Sequence, residues 1–548
     1  MLDKKVREYL LPLKVLKSEG CENEDCLLRY NTDQSYFGGD LGCVIRSGGW
    51  ILLDYGKEYS GGAKIVCNEC SGRKNAVLRL TFGESAMEAV SGIGEKNATN
   101  DHSVRDTALD VPWIGSVEYG NTGFRFLRIR NESDFTVSVR QVFALFIHSD
   151  VRFTGIFRCN DDRLNKIWDA AAYTVFLNMQ DYVYDGIKRD RVVWIGDMHP
   201  ETSAVLRLAG KDVRVERSLE LVRKNTPPNE WMNAIPSYSL WWLKIVRDYW
   251  FYTGDYRFLY RQKDYVQSLI KNILLCINED GSYNIGDLFI DWPSSEEKNA
   301  QKAGVYALLY IAVQSAEEIL ENVEGDAQII AECENALLKL QKQPCSDTDN
   351  KQAAALLCFA GLADAKNMNK RVFSCDPLKK ISAFLGYYVL NARGMAGDIK
   401  GAVELIRGYW GAMLDLGSST FWEDFDIEWI KGAKPIDSIL KEGEYDVHGD
   451  NGGYCYKGYR HSLCHGWASG PVPFISEYVL GIQPVEPGFG KVRICPELGD
   501  LEWIEGCCPT PFGNIEIRCE RIDGIPTITK LSVPKEILVE KTTLKLCC

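Results

Sequence analysis

The sequence lacks the features that several large functional classes require. There is no basic excess, because 63 Lys and Arg stand against 76 Asp and Glu, with a formal net charge of −13. Proteins that bind nucleic acid or anionic membranes neutralise phosphates with basic side chains, so neither partner is expected. No GxGxxG or GxxxxGK[ST] loop follows a predicted strand, and HExxH and GxSxG are absent. A neutral substrate fits this chain better than a nucleotide or a peptide.

Signals for secretion and for metal binding are also scarce. The N-terminus has no apolar run of signal-peptide length, and no later segment is predicted to span a membrane. The 19 cysteines are therefore expected to be reduced in a cytoplasmic protein. Cys67 and Cys70 form a lone CxxC, and His461 and His465 have no evident third ligand. Neither a metal nor a cofactor is predicted, and the sequence allows a homodimer without indicating the oligomeric state.

What the sequence does contain is a change of periodicity along 548 residues, enough for two to four domains. Residues 1–154 show alternating apolar runs separated by Gly, Asn, Asp and Ser, as in a β-sandwich. Residues 155–484 are helical in period, and residues 485–548 alternate again. About a dozen helices without interleaved strands exclude a parallel α/β barrel. The predicted fold is an (α/α)6 six-hairpin toroid flanked by an N-terminal β-sandwich and a C-terminal β domain.

The helices are predicted from amphipathic segments whose ends carry stop signals such as Gly210, Gly254 and Gly281. No fixed-period repeat is visible, which argues against an open solenoid. The segments are 162–178, 198–209, 211–224, 237–253, 255–278, 299–322, 325–342, 350–365, 376–391, 397–416 and 466–480, with a further short one near 432–441.

The densest cluster of charged residues lies in residues 185–201, around the apolar sequence Val-Val-Trp at residues 192–194. Charge collected around a rigid aromatic residue is typical of a sugar-binding cleft, while a helix start with ordinary surface charge is the alternative interpretation. The candidate residues of this segment are Asp185, Arg189, Asp190, Trp194, Asp197 and Glu201.

Three further clusters place an acid or an imidazole beside a tryptophan. Glu423 follows Trp422 near the end of a long predicted helix. Apolar surroundings disfavour ionisation of a carboxyl group, whereas hydrogen-bond donors favour it. One site can therefore hold a protonated carboxyl group as the acid and an ionised one as the base. A helix-capping acid is the alternative for Glu423, and a turn with a core tryptophan is the alternative for Asp291 and Trp292. In the last cluster, His465 and Trp467, a neutral imidazole suits sugar hydroxyls because it both donates and accepts.

On these motifs the chain resembles the bacterial α-L-rhamnosidases of glycoside hydrolase family 78. Residues 189–197 align without a gap on the segment RERLGWTGD of that family, and residues 420–423 resemble its TTxWE segment. Further similarities run in the same order along most of the chain, at residues 50–62, 123–126, 157–168, 465–467 and 481–489.

The resemblance implies an inverting glycoside hydrolase that uses two carboxyl groups. Glu423 would be the general base and Asp190 the general acid, where the family more commonly has Glu. Because the loss of one methylene moves the carboxyl by about a bond length, Glu201 is kept as an alternative acid. The remaining candidates would bind the carbohydrate substrate: Asp185, Arg189, Trp194, Asp197, Glu201, Asp291, Trp292, Trp422, His465 and Trp467.

Three functions are compatible with this resemblance. The first is an exo-acting α-L-rhamnosidase that releases terminal rhamnose from oligosaccharides or glycosides. The second is a six-hairpin glycosidase acting on another terminal sugar. The observation that favours it is Asp190, which stands where the family more commonly has Glu. The third is a catalytically silent carbohydrate-binding protein.

Overall fold

The computed structural model describes residues 4–31, 34–35, 42–342 and 348–540. The chain forms two compact units, each assembled from separate stretches of sequence. The first unit consists of Met1–Asp150, Phe176–Val192 and Ala412–His465, and the second consists of Val151–Val175, Val193–Gly411 and Gly466–Cys548. The predicted boundaries at residues 154 and 484 follow chain order, whereas these units follow contacts. Two segments within the predicted helical domain, mostly loops that follow the last turns of two helices, thus group with the N-terminal β region.

A seven-stranded sheet forms the core of the first unit, with strand order β1-β7-β3-β6-β4-β5 and with β2 paired to β3. Its inward-facing residues alternate with outward ones and are mostly Val, Ile, Leu and Phe, as expected of half-buried strands. A short helix, α1 (Ala86–Val90), follows β4. The strands are β1 (Lys5–Leu10), β2 (Lys14–Glu22), β3 (Cys43–Cys70), β4 (Ala76–Gly83), β5 (Asp106–Val111), β6 (Gly115–Asn131) and β7 (Val137–Ser149).

The sheet curls because β3 is much longer than the short strands predicted there. At 28 residues it pairs twice with the same end of β7, once through Cys43 and once through Cys67. The pairing register shifts near Gly61, which has a φ of +148°. A Cβ at this position would overlap the carbonyl oxygen of Leu145, so only glycine lets the strands approach here.

The second unit is mainly helical. Apart from short loops and a β-bridge, no strand interrupts the helices from residue 162 to residue 415 in its described part. The helices are α2 (Asp162–Asn178), α3 (Met198–Leu208), α4 (Val213–Asn225), α5 (Pro236–Thr253), α6 (Tyr256–Leu274), α7 (Lys298–Asn322), α8 (Ala327–Gln341), α9 (Lys351–Phe359), α10 (Ala365–Met368), α11 (Gly386–Met395), α12 (Ile399–Asp415) and α13 (Pro471–Phe474).

Odd-numbered helices pack against one another in the order α3, α5, α7, α9 and α11. Helix α7 is apolar on nearly all faces and is buried along most of its length, whereas α6 and α8 each bury a single stripe. This alternation is expected of the inner and outer helices of successive hairpins. By length and composition α7 could cross a membrane, but 83% of its most apolar window is buried inside the protein, as in a core helix.

Four predicted helices are wrong in detail. Of residues 376–391 only those from Gly386 onward are helical, in α11, and of residues 350–365 the helix α9 already ends at Phe359. Residues 432–441 contain no helix, because Gly432 adopts a positive φ and Pro435 disfavours helical geometry at the preceding residue. The predicted helix 466–480 is divided into a 3₁₀ turn, α13 and a π-helical turn. Pro471 begins α13, where a missing backbone N–H has no cost, and Pro473 prevents a regular helix from extending backward through it.

Two small sheets complete the second unit. One has the order β14-β10-β9 and the other β13-β12-β11-β8. Strand β8 lies before the first helix of the unit but pairs with β11 from Ile156 to Cys159. The strands are β8 (Ile156–Cys159), β9 (Ile482–Pro484), β10 (Lys491–Ile494), β11 (Trp503–Thr510), β12 (Gly513–Ile522), β13 (Ile525–Ser532) and β14 (Leu538–Val539).

Candidate active site

The first unit holds the loop 185–192, which carries three of the predicted site residues. The Asp185 carboxylate accepts from the Val192 backbone N–H at 3.0 Å, and the Asp185 N–H donates to the Val192 carbonyl at 3.2 Å. The loop is therefore closed at its base. Gly186 forms a β-bridge with His465, which brings this predicted histidine to the same loop.

Lys188 anchors the loop in a buried charge cluster. Its ammonium lies 2.9 Å from Glu84 and 3.3 Å from Glu88, and it donates to the carbonyls of Tyr459 and His461. Burial of so many charges is costly unless they are paired and hydrogen-bonded, as they are here. The buried cation therefore ties the loop to two distant segments of the first unit.

The two glutamates of this cluster differ in their pKa. Burial raises the pKa of Glu84 to about 7, against the opposing effect of Lys188. Burial acts on Glu88 in the same direction, but Lys188, His448 and Arg105 together hold its pKa below the ordinary value. Ligand atoms of Glu84, Glu88 and His448 lie within 4.8 Å of one another, as metal ligands can. The Lys188 ammonium already supplies positive charge to this cluster.

Glu423 is connected to the cluster through Ser462. Glu84 accepts from the Leu463 N–H at 2.6 Å and from the Ser462 hydroxyl at 3.4 Å. The Ser462 N–H in turn donates to Glu423 Oε2 at 3.1 Å. A chain of hydrogen bonds thus runs from Lys188 to the predicted general base and restricts the orientation of its carboxylate.

Arg189 brings the two predicted catalytic residues together. Its Nη2 donates to Glu423 Oε1, and its Nη1 lies 3.5 Å from Asp190 Oδ1. Burial alone would lower the pKa of Arg189, but the charges of Glu423 and Asp190 raise it above its ordinary value. The guanidinium is therefore a permanent buried cation that contacts both carboxyl groups, although 233 positions separate Asp190 from Glu423 in the sequence.

His102 is a site residue that the sequence did not reveal. Its Nδ1 lies 3.1 Å from Asp190 Oδ1. A lone histidine in a loop has no spacing or neighbouring motif that would single it out, so only the folded chain identifies it.

Three buried histidines of the first unit are neutral at physiological pH. Burial lowers the pKa of His465 to about 4 and that of His448 to about 4, and it lowers the pKa of His461 well below its ordinary value. His461 Nε2 accepts from the Asp424 N–H at 2.9 Å, which holds the segment that follows Glu423. Neutral imidazoles suit a site for uncharged hydroxyl groups.

Two tryptophans predicted to bind sugar are packed inside the protein, and their contact with substrate stays a prediction. Trp422 is fully buried, and its indole N–H donates to Ser418 at 2.8 Å. In the second unit, Trp467 is buried and stacks on Phe384 with ring centroids 4.9 Å apart. Burial of this kind could not be read from the sequence, because ligand-binding and core tryptophans have the same local composition.

The second unit presents a row of aromatic rings that includes Trp194 and Trp292. Tyr238 packs edge-on against Trp194 at 6.1 Å and against Phe289 at 6.2 Å, and Phe289 lies 5.1 Å from Trp292. The Tyr238 hydroxyl donates to Asp197 at 3.2 Å. Both tryptophans are partly exposed, so this row combines accessible ring faces with an adjacent carboxylate.

Glu201 and Asp291 are buried acids of the second unit. Glu201 lies on α3 against Gly466, where a Cβ would overlap its Oε1 atom. Asp291 accepts from the Ser294 N–H at 3.0 Å and from the Ser382 hydroxyl at 2.8 Å, and burial raises its pKa. Their predicted contacts with substrate, and the alternative acid role of Glu201, stay predictions.

The second unit packs helices α3, α5, α7, α9 and α11 in order and carries buried carboxyl groups and partly exposed aromatic rings. Residues 152–335 match the family described as bacterial alpha-L-rhamnosidase 6 hairpin glycosidase domain. Residues 481–539 match the bacterial alpha-L-rhamnosidase C-terminal domain. The chain thus matches the models of two bacterial α-L-rhamnosidase domains, and both the resemblance and the fold class predicted from the sequence are confirmed.

Similar proteins match over most of the chain. An alpha-L-rhamnosidase of Alteromonas sp. (strain LOR) is 24% identical over 529 residues, covering 85% of this chain and 53% of that protein. This chain thus spans about half the length of that curated relative. The fold is similar to a GH78 family rhamnosidase of Bacillus sp. GL1, with a TM-score of 0.74, 20% identity and coverage of 94% of this chain and 55% of that one. A rhamnosidase from Klebsiella oxytoca with rhamnose bound has a TM-score of 0.69, 20% identity and coverage of 87% and 96%.

Proposed function

We propose that this protein is an exo-acting inverting glycoside hydrolase that releases terminal α-L-rhamnose from oligosaccharides or glycosides. The observation that carries the proposal is the contact of Arg189 with both Glu423 and Asp190. Support comes from the two matched domains and from the rhamnose that the similar Klebsiella oxytoca structure contains.

In this reaction Asp190 donates its proton to the glycosidic oxygen, and the bond from that oxygen to the anomeric carbon breaks. Glu423 takes a proton from a water molecule whose oxygen bonds to the anomeric carbon from the opposite face. Asp190 ends as a carboxylate and Glu423 as a carboxylic acid, and proton exchange with solvent restores both. The product sugar has the inverted configuration.

Arg189 and the Ser462 N–H hold the Glu423 carboxylate for this task. Each donates to a different oxygen, so the carboxylate cannot rotate without breaking a hydrogen bond. A base held in one orientation lowers the entropic cost of positioning the attacking water. The aromatic row of the second unit offers flat apolar faces, which suit the ring and methyl group of a deoxy sugar.

The proposal is tested with p-nitrophenyl α-L-rhamnoside and a panel of other aryl glycosides. We expect turnover of the rhamnoside and release of the β anomer first, observed by proton NMR. The variant Glu423→Gln should lose about 100-fold to 10,000-fold in kcat, while rhamnose still binds in calorimetry. The matched control is Glu428→Gln, which alters an exposed acid paired with Lys431 and should keep wild-type turnover.

Each alternative outcome identifies a different function. Turnover of another glycoside alone would indicate a glycosidase for a different terminal sugar. Binding without turnover of any glycoside would indicate a silent carbohydrate-binding protein. Unchanged turnover in Glu423→Gln would overturn the assignment of the base.

We also propose a cytoplasmic location. Cys67 and Cys70 are thiols whose sulfurs lie 3.5 Å apart and are not joined by a disulfide bond. Closely placed free thiols suit a reducing compartment. Cell fractionation tests the location, and sedimentation velocity measures whether the protein is a homodimer.

A further inference from the structure

The loop 98–105 of the first unit places an imidazole beside Asp190. His102 is about one-quarter exposed and Asp190 is less exposed, with 3.1 Å separating Nδ1 from Oδ1. The predicted acid thus has a neighbour from a part of the chain that the catalytic motifs do not include.

The neighbours of His102 determine which of its nitrogens carries the proton. Arg460 Nη2 lies 2.8 Å from His102 Nε2, and an arginine side chain can only donate. Nε2 is therefore the acceptor, and the neutral ring carries its hydrogen on Nδ1, directed at Asp190. Asp101 lies farther from the same Nε2, at 3.2 Å, and its carboxylate accepts from Arg460 instead, so the shorter Arg460 contact decides the role of Nε2.

The loop is attached to the segment that carries the acid. The Ser103 hydroxyl lies 3.1 Å from the Lys188 carbonyl and 2.8 Å from the Thr122 hydroxyl. Arg105 donates to the carbonyls of Phe82 and Glu88. His102 and Asp190 are consequently held by one connected framework, as a functional contact requires.

The backbone of Asp190 explains why such support matters. Asp190 has a φ of +53°, and Arg191 follows with a φ of +59°. Two consecutive left-handed residues other than glycine are strained, and the strain persists only where surrounding contacts hold it. Aspartate tolerates this region better than glutamate, but its shorter side chain leaves the carboxyl closer to the backbone.

We propose that His102 is a positioning residue for the general acid Asp190, an inference that rests on the proposed function. Donors from His102 and Arg189 both converge on Oδ1. These two donors on Oδ1 hold the carboxyl group in one orientation while it carries the acidic proton. As that proton moves to the glycosidic oxygen, Asp190 becomes a carboxylate, and the hydrogen bond from Nδ1 strengthens with the developing charge.

The dependence of hydrolysis on the leaving group tests this role. A rhamnoside with a poor leaving group, such as a rhamnosyl glucoside, needs protonation, whereas 2,4-dinitrophenyl rhamnoside does not. In His102→Phe we expect a loss of roughly 10-fold to 100-fold in kcat on the poor leaving group and less than about 3-fold on the activated one. Activity of the variant on the activated substrate also shows that it is folded.

Two further variants complete the experiment. His102→Asn keeps an N–H donor near the position of Nδ1 and should restore most of the activity on the poor leaving group. His148→Phe makes the same change elsewhere in the first unit, where the ring contacts the Ser149 carbonyl, and should keep wild-type activity on both substrates.

The outcomes separate this inference from the proposed function. Equal losses of His102→Phe on both substrates, or no loss on either, would overturn the role of His102. Asp190→Asn serves as the benchmark: if it lacks the leaving-group dependence, the acid is misassigned. Failure of the wild type to hydrolyse any α-L-rhamnoside would overturn the proposed function together with this inference.

Discussion

The predicted site residues fall into two units that fix their side chains by different means. In the first unit, Arg189 and Glu423 are held by other charges and by backbone groups. In the second unit, Trp194 and Asp197 are held by aromatic packing and by one hydroxyl. The orientation of the charged side chains in the first unit depends on every partner being present, whereas the orientation of the rings in the aromatic row depends on how they pack.

The comparison indicates which substitutions should reduce stability and which should reduce sugar binding in each unit. Removing one member of a buried charge network leaves its partners unpaired, which costs more than the lost contact alone. Truncating a partly exposed ring removes only its own contact area. We therefore expect large stability effects in the first unit and selective binding effects in the second.

The largest effect is expected from Lys188→Met, which leaves Glu84 and Glu88 buried without their shared cation. The free energy of unfolding should fall by about 3–5 kcal/mol, as measured by urea denaturation followed through tryptophan fluorescence. The control is Lys74→Met, which removes an exposed ion pair with Asp134 and should cost at most about 0.5 kcal/mol. Equal effects of the two substitutions would show that the cluster is not a structural anchor.

A smaller and more selective effect is expected from Trp194→Ala. Rhamnose affinity measured by calorimetry should fall by roughly 10-fold, with little change in the urea midpoint. Trp503→Ala is the matched control, because that ring of the second unit packs under Arg518 in the C-terminal sheet. If both variants bind rhamnose like the wild type, the aromatic row does not contact the sugar.

A pH effect is expected from Glu84, whose pKa is raised to about 7 in the folded protein. A carboxyl with a raised pKa contributes stability that is present below its unfolded value of about 4.3 and is lost as the pH rises to about 7. Glu84→Gln should therefore flatten the decline of unfolding free energy over that range. An unchanged pH dependence, compared with Asp134→Asn as an exposed control, would contradict the raised pKa.

The smallest effect is expected from Ser462→Ala. This substitution removes a hydroxyl from the chain of hydrogen bonds but leaves the backbone N–H that donates to Glu423. Rhamnoside turnover should change by less than about 3-fold. A loss as large as that of Glu423→Gln would show that the hydroxyl, and not the backbone, positions the base.

Much of the fold was predictable from periodicity, and the failures have local causes. Helices α5 and α7 begin and end within one residue of their predicted bounds, because their apolar patterns are long and regular. The predicted helix 466–480 was wrong because the prediction followed the apolar pattern and gave too little weight to the two prolines that divide the segment. The length of β3 was underestimated because glycines that usually end strands here allow a bend.

The candidate site was predictable only where several unusual residues occur together. The segment around Arg189 and the pair Trp422 and Glu423 stood out by composition and by motif order. The full burial of Trp422 was not predictable, since the sequence carries no record of which side of a loop a ring occupies. His102 could not be found at all, because its partner Asp190 lies 88 positions away.

The sequence by itself determined the succession of sheet, helices and sheet, and the residue types capable of acid and base chemistry. These follow from local propensity and from motif order, which need no knowledge of distant contacts. Only the tertiary structure decided which charges meet: that Arg189 contacts both Glu423 and Asp190, that Lys188 anchors their loop, and that His102 lies beside the acid. Such pairings join residues far apart in sequence, and their energies depend on distances and burial that exist only in the folded chain.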